Sequence, residues 1–320
     1  MKLARYFESR MLHGLFLLFS VSILAFSISQ LAPGSFLDDL RMNPAVSSQT
    51  IESLRVQYGL DQPLTVRYLR WAKSLLHGDL GYSLSYKIKV NQLIWPRVRN
   101  TLLLGIAAML LSWILALPCG LLSARRAGSW IDRWVSWSAT ALLGTPELAL
   151  ALFFVLLAAR FRAPDRTLLS YGQGAVSASD DIVNQILVPC AALALAAFPL
   201  LYRHIRAAVL EASDAPCVRA ARGHGISDFR LLLRHVLPLA SNPLISLVGL
   251  SLATVISGSF VVEIITGWPG LGPLFFDAIY SRDAHVMMAI VMLFSLLLIA
   301  SNFVADLLLY ASDPRVRAES

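Results

Sequence analysis

Charge is scarce in this sequence: only 15% of its 320 residues are Asp, Glu, Lys or Arg, against roughly a quarter in a soluble globular domain. With 57% of the residues hydrophobic, the composition argues against a soluble fold. Cysteine is nearly absent as well. Cys119 and Cys190 lie inside apolar runs and Cys217 in a polar loop, so the three supply neither a disulfide framework nor the spacing of a metal site. A Gly-rich phosphate loop ending in Lys-Ser/Thr is missing, and with it the usual backbone cradle for ATP. No Ser/His/Asp or metal-ligating set occurs either, since His13, His77, His204, His224, His235 and His285 are scattered along the chain. The chain is therefore expected to carry no catalytic residue, no metal and no cofactor of its own.

What the sequence does hold is long apolar runs. They cover 12–31, 101–123, 135–161, 186–202 (extending towards 210), 241–266 and 285–311, and about 20 residues suffice for a helix to cross a hydrocarbon core. The expected fold is an all-α membrane protein with about six transmembrane helices. The first run is read as an uncleaved helix rather than a signal peptide: it is long for a signal core, and Leu31-Ala32-Pro33-Gly34 follows it instead of a small-x-small cleavage site. Residues 35–99 are polar, with Tyr68, Trp71, Tyr82 and Trp95 interspersed. Their periodicity from Ile51 to Leu76 predicts short amphipathic helices in a folded extramembrane loop.

The formal net charge of +7 does not point to nucleic acid, because the cations sit in short loops beside apolar runs. Fourteen fall at the termini and in the loops 124–134 and 203–240: Lys2, Arg5, Arg10, Arg125, Arg126, Arg133, Arg203, Arg206, Arg219, Arg222, Arg230, Arg234, Arg315 and Arg317. The short loops of the other side hold four, Arg160, Arg162, Arg166 and Arg282, while nine more lie in the long 35–99 loop, which weighs little in setting topology. Both termini are expected in the cytoplasm. The organisation read from these features is an N-terminal tail and first span over 1–34 and an extracytoplasmic loop subdomain over 35–99. A five-span core follows over 100–312 with a cytoplasmic loop at 203–240, and then a cytoplasmic tail over 313–320.

The 203–240 loop is punctuated like a helix pair. Pro216 suits a first turn, where its missing amide costs nothing, and Gly225 can take the left-handed conformation that ends a helix. Ser227 or Asp228 can cap a second helix running to Leu237. A short helix held between two spans by a glycine turn suits docking into a cleft on a cytoplasmic partner. An amphipathic helix lying on an anionic leaflet would show the same periodicity.

Arg219-Ala220-Ala221, then Arg222 and Gly225, with Leu237-Pro238 beyond, resemble the EAA loop of membrane subunits of binding-protein-dependent ABC importers. Further segments narrow the resemblance to the dipeptide, oligopeptide and nickel permease family. They are Leu31-Ala-Pro-Gly34, Tyr58-Gly-Leu-Asp-Gln-Pro63, Gly78-Asp-Leu-Gly81, Trp268-Pro269-Gly270-Leu271-Gly272, Arg282-Asp283 and Asp313-Pro-Arg-Val-Arg317. The resemblance runs nearly end to end and implies the type I importer permease architecture. It also implies a cytoplasmic (inner) membrane location in a bacterium and four kinds of partner: a second permease, two cytoplasmic ATPases holding ATP and Mg, an extracytoplasmic substrate-binding protein, and lipid. The docking loop would let ATP-driven closure of the ATPases rock the membrane helices, and substrate would pass between the two permeases. A heterodimer of permeases is expected, as is usual in the family. Pro216, Cys217 and His224 stand where the family usually places an acid, an aromatic and a Lys, which points to a divergent ATPase partner. A membrane scaffold or sensor, or an exporter subunit, would use the same loop.

Physically, Pro269 with Gly270 and Gly272 breaks the fifth helix, predicting a tight outer turn with Trp268 anchored at headgroup level. An ordinary interfacial loop has the same composition. Three acids lie inside spans, where an ionisable group costs a few kcal/mol and is often functional. Glu263 and Asp306 lie towards span ends, where the family commonly carries an acid and where anchoring is the simpler role. Glu147 follows Pro146 in the third run, where the family usually shows aromatics. Pro146, Glu147 and Glu263 are the candidates for lining a translocation pathway. Glu147 there would favour a cationic substrate; its alternative is a buried, hydrogen-bonded acid kept neutral.

Overall fold

The computed structural model describes residues 2–31, 49, 53, 61–161 and 181–312. The regular elements of these segments are helices: α1 (Lys2–Leu31), α2 (Leu64–Leu76), α3 (Val90–Arg125), α4 (Trp130–Leu143), α5 (Glu147–Phe161), α6 (Asp181–Ser213), α7 (Pro216–Gly223), α8 (Asp228–Leu231), α9 (Leu237–Thr266), α10 (Leu271–Tyr280) and α11 (Ala284–Ser312). An isolated antiparallel bridge joins Tyr82 and Lys89. Among the described residues, five helical segments are long and apolar enough to cross a membrane: Glu8–Leu31, Val90–Arg125, Gln185–Ser213, Asp228–Thr266 and Ala284–Leu308. A bent pair, α4 with α5, brings the number to six if it counts as one span. The all-α, roughly six-span architecture thus stands.

Three elements differ from the sequence expectation. The run 135–161 is not a straight span: α4 and α5 meet at 102°. Pro146 prevents the helix from continuing, since it offers no amide and pushes Thr145 out of the helical region. The chain restarts at once, the Pro146 carbonyl accepting from the Ala149 and Leu150 amides. Second, the helix after Gly225 does not stop at Leu237. It passes from α8 through a π-helical segment, Leu232–Val236, directly into α9. Pro238, at the start of α9, removes a backbone donor, and the wider π turn absorbs the mismatch without a break. Third, α3 begins at Val90, before the apolar run that starts at residue 101.

The chain divides into two compact units. One comprises residues 1–7, 101–268 and 298–320. In it α6 packs on α9, α5 and α4, although Pro189 and Pro199 lie within α6. One cluster joins Phe198, Leu201, Tyr202, Ile205 and Val209 of α6 with Val218, Leu231, Val236 and Ala240. A second gathers Leu104 and Ala108 of α3, Ala151 of α5, Leu193 of α6 and Val255 of α9.

The other unit comprises residues 8–100 and 269–297. Its amphipathic α2 lays Trp71 against Phe26 and Met288, with Tyr68, Ala72 and Leu75 beside them. Ser22 and Tyr68 hydroxyls are 2.9 Å apart. The expected amphipathic helix is therefore present over 64–76; residues 50–52 and 54–60 lie outside the described residues, as do Ala32–Gly34 and Asp313–Arg317.

Candidate functional site

Loop 203–240 begins at the end of α6 and turns sharply into α7. Ala215 is extended, Pro216 occupies the first turn, and the Ala215 carbonyl accepts from the Val218 and Arg219 amides. Arg219 Nε donates to the Asp214 carbonyl at 3.0 Å. The helix ends at His224, and Gly225 follows in the left-handed region with φ +78°. Ser227 is the extended residue before α8, and its carbonyl accepts from the Leu231 amide while its hydroxyl makes no cap.

Only one side of this hairpin is anchored. Val218 and Leu231 are buried in the cluster on α6, with Ala221, Ile226 and Leu237 packed against it. Arg219, Ala220, Arg222, Gly225 and Pro238 are exposed. Phe229 is exposed too, at 61%. An amphipathic helix that lies on a membrane needs a free apolar face, and Val218, the one branched aliphatic residue of α7, is spent on the protein core. What α7 leaves outward is small or basic, and beyond it Phe229 and Leu233 are exposed.

The base of the hairpin is tied down by a pair that sequence reading missed. Arg206 of α6 grips Asp132 of α4 through two parallel bonds, Nε to Oδ1 at 2.7 Å and Nη2 to Oδ2 at 2.8 Å. Asp132 is 4% exposed and also accepts from the Gly128 amide at 2.9 Å and from the Ser136 hydroxyl. Ser136 in turn meets the Tyr202 hydroxyl at 2.9 Å. In the sequence Arg206 reads only as a topology charge. The signal available was an acid in a short loop otherwise made basic by Arg125, Arg126 and Arg133.

The pathway candidates are separated by the fold. Pro146 is exposed at the bend, and Glu147 is the first residue of α5, half-buried beside α9. Its carboxylate lies where a side chain at Gly258 would stand: a Cβ there would meet Oε2 at 2.8 Å and Oε1 at 2.9 Å. An open recess of about 390 Å³ is lined by Glu147, Ala253, Thr254, Ser257 and Gly258. Glu263 lies farther along α9, fully buried, and its carbonyl accepts from the Trp268 amide at 3.1 Å.

The turn after α9 is made by a residue the motif did not include. Gly267, at φ +69°, ends α9 in the left-handed conformation, as helix C-termini often require. Gly270 is the extended residue before α10, and Gly272 is buried within it. The Pro269 carbonyl accepts from Asn100 Nδ2 at 2.8 Å. Trp268 corrects the headgroup expectation: it is 5% exposed and belongs to the cluster of Leu104, Leu193 and Val255. An indole buried among aliphatic side chains is core, not an interfacial anchor.

Two motifs widely separated in sequence come together in the second unit. Asp283 is 1% exposed and accepts from the Ser83 hydroxyl at 2.6 Å and the Ser85 amide at 3.2 Å. It also caps α11 through the Val286 amide. Gly81, at φ +93°, leaves room for His285, whose Cδ2 would stand 2.8 Å from a Cβ there. Asn91 closes the loop, accepting from the Leu80 amide and donating to the Gly78 carbonyl. Burial and the neighbouring Asp277 carboxylate push the Tyr86 phenol above its ordinary range.

Residues 116–318 match the family described as "Binding-protein-dependent transport system inner membrane component". The oligopeptide transport system permease protein AppB of Bacillus subtilis is 33% identical over 98% of this chain and 99% of its own. The glutathione transport system permease protein GsiC of Shigella flexneri is 32% identical, over 94% of each chain. The nickel import system permease protein NikB of Staphylococcus aureus is 28% identical over 97% of this chain and 91% of its own. Among solved structures, a chain of the inward-facing MetNI methionine ABC transporter superposes with a TM-score of 0.56 at 20% identity, covering 69% of this chain and 97% of that one. The fold is that of a type I ABC importer permease.

Proposed function

We propose a function from one premise: the chain belongs to the binding-protein-dependent transport system inner membrane component family. It serves as one permease half of an ATP-driven importer in a bacterial inner membrane, with both termini in the cytoplasm. It pairs with a second, similar permease and with two cytoplasmic ATPases that hold ATP and Mg. An extracytoplasmic binding protein delivers substrate, and the loop before α3 and the turn at Trp268–Gly272 form its receiving side. Substrate crosses between the two permeases, with Pro146, Glu147 and Glu263 as the pathway candidates. The relatives named for oligopeptide, glutathione and nickel transport favour short peptides, with nickel chelates and other small solutes next.

The observation that carries this reading is the one-sided hairpin: Val218 and Leu231 lock it to α6, while Arg219, Ala220, Arg222 and Phe229 stand bare. Such a rigid, exposed knob transmits the movement of whatever grips it. The test is co-purification of the tagged chain from its native membrane, wild type against Gly225→Asp. Nothing lies within 4 Å of a Cβ at Gly225, so the variant keeps its fold, but it carries a strained backbone and an added negative charge at the tip. The expected result is an ATPase pair and a second permease with the wild type, and loss of the ATPases alone with the variant. Absence of any ATPase from both preparations overturns the importer reading in favour of a membrane scaffold.

A further inference from the structure

We infer that the recess between Glu147 and α9 is a binding site for the ammonium group of a transported solute, with Glu147 as its counter-ion. The inference rests on the importer reading and adds a substrate chemistry to it.

The bend at Pro146 is what delivers the acid. In a straight span residue 147 would sit amid the apolar helix. After a 102° turn it becomes the first residue of α5, projecting across the gap to α9. Gly258 then admits it, because no other residue leaves space for the carboxylate against the α9 backbone. Residues 253, 254, 257 and 258 fall on one helical face, and they present small or hydroxyl side chains to the recess. The Thr254 hydroxyl donates to the Leu250 carbonyl at 2.9 Å, so its oxygen faces outward as an acceptor. Ser257 is exposed beside it.

Every polar group lining the recess can thus accept a hydrogen bond, as an ammonium with three donors requires. No Lys, Arg or His lines it. Among the described residues the Glu147 carboxylate receives no hydrogen bond and faces no cation. A carboxylate set among apolar helices without a partner is costly. A passing cation that offsets this cost is bound in preference to a neutral or anionic solute. A free amino terminus, as on a short peptide, carries that cation.

The test reads the recess directly, whatever the natural substrate. Ser257→Cys is introduced into the full chain, co-expressed with its partners, with Cys119, Cys190 and Cys217 replaced by Ala. In membranes, the thiol is labelled with the trimethylammonium and with the sulfonate derivative of ethyl methanethiosulfonate, and with uncharged methyl methanethiosulfonate as the control for folding. The ratio of cationic to anionic labelling rates is expected to fall about tenfold when Glu147 is replaced by Gln, and to be kept by Glu147→Asp. If the uncharged rate shows that Glu147→Gln disturbs the fold, Gly258→Ala serves instead, since its Cβ displaces the carboxylate and must lower the same ratio. An unchanged ratio means a neutral acid and overturns the inference, as does the absence of labelling by any reagent. Absence of any ATPase from the co-purified wild-type chain would instead overturn the importer reading, so the two failures are distinguishable.

Discussion

Glycine serves opposite ends at two positions of this chain, and substitution separates them. At Gly249 of α9 the neighbour is backbone: a Cβ would stand 2.2 Å from Ala305 Cα of α11. Nothing flexible can yield, so Gly249→Ala must force the two helices apart. Overpacking of this kind costs about 1–3 kcal/mol and more where backbone is hit; the upper end is expected here, read as a drop of several degrees in the melting temperature of the purified chain in detergent. At Gly225 the surroundings are empty and only the left-handed backbone resists a side chain. Gly225→Ala should cost about 1–2 kcal/mol, confined to the hairpin, with the melting temperature of the core nearly unchanged. Equal losses from the two substitutions would refute this division. Of the pair, only Gly225 was legible in the sequence, because a turn glycine sits among local punctuation, whereas a packing glycine is marked by a residue 56 positions away.

Whole helices were legible for the same reason that single contacts were not. Run length and polarity located the five long spans found among the described residues, since a membrane crossing demands a continuous apolar stretch. The bend at Gly144–Pro146 was hidden, because α4 and α5 are both apolar enough to read as one run. The π segment at Leu232–Val236 escaped because hydropathy does not register how a helix winds. The Asp132–Arg206 pair joins α4 to the end of α6 and holds the base of the 203–240 hairpin. Breaking a buried pair strands the remaining charge, but Arg206 keeps 29% of its side chain in contact with solvent and can rehydrate. Asp132→Asn is therefore expected to cost about 2 kcal/mol, less than a fully buried pair. The exchanged variant, Asp132→Arg with Arg206→Asp, should recover only part of it, because the Gly128 amide is aimed at a carboxylate on α4. Full recovery, measured by thermal unfolding of the purified chain, would show that the backbone donor contributes nothing.

Across the whole chain, the short motifs acquire meaning from where the fold places them. Gly78-Asp-Leu-Gly81 and Arg282-Asp283 were each readable in the sequence, yet nothing local says that Ser83 and Asp283 meet, 200 residues apart. That information lies in the packing of α1, α2 and α11, where Phe26, Trp71 and Met288 share one cluster. Asp283 converts the packing into a fixed loop: its two oxygens accept from Ser83, Ser85 and the first turn of α11. Asp283→Asn replaces one acceptor by a donor facing donors, and a buried polar group left unmatched costs about 1–3 kcal/mol. Hydrogen exchange should therefore speed up by one to two orders of magnitude, about tenfold per 1.4 kcal/mol, at the amides of Ser85, Tyr86 and Val286. Asp277→Asn is the matched control. Its partner is the Tyr86 hydroxyl at 3.3 Å in an exposed pair, and pairs of that kind contribute little, so exchange at the same amides should stay within about twofold. Equal effects from the two substitutions would mean that the loop is held by the aromatic packing of α2 alone, and that Asp283 only caps α11.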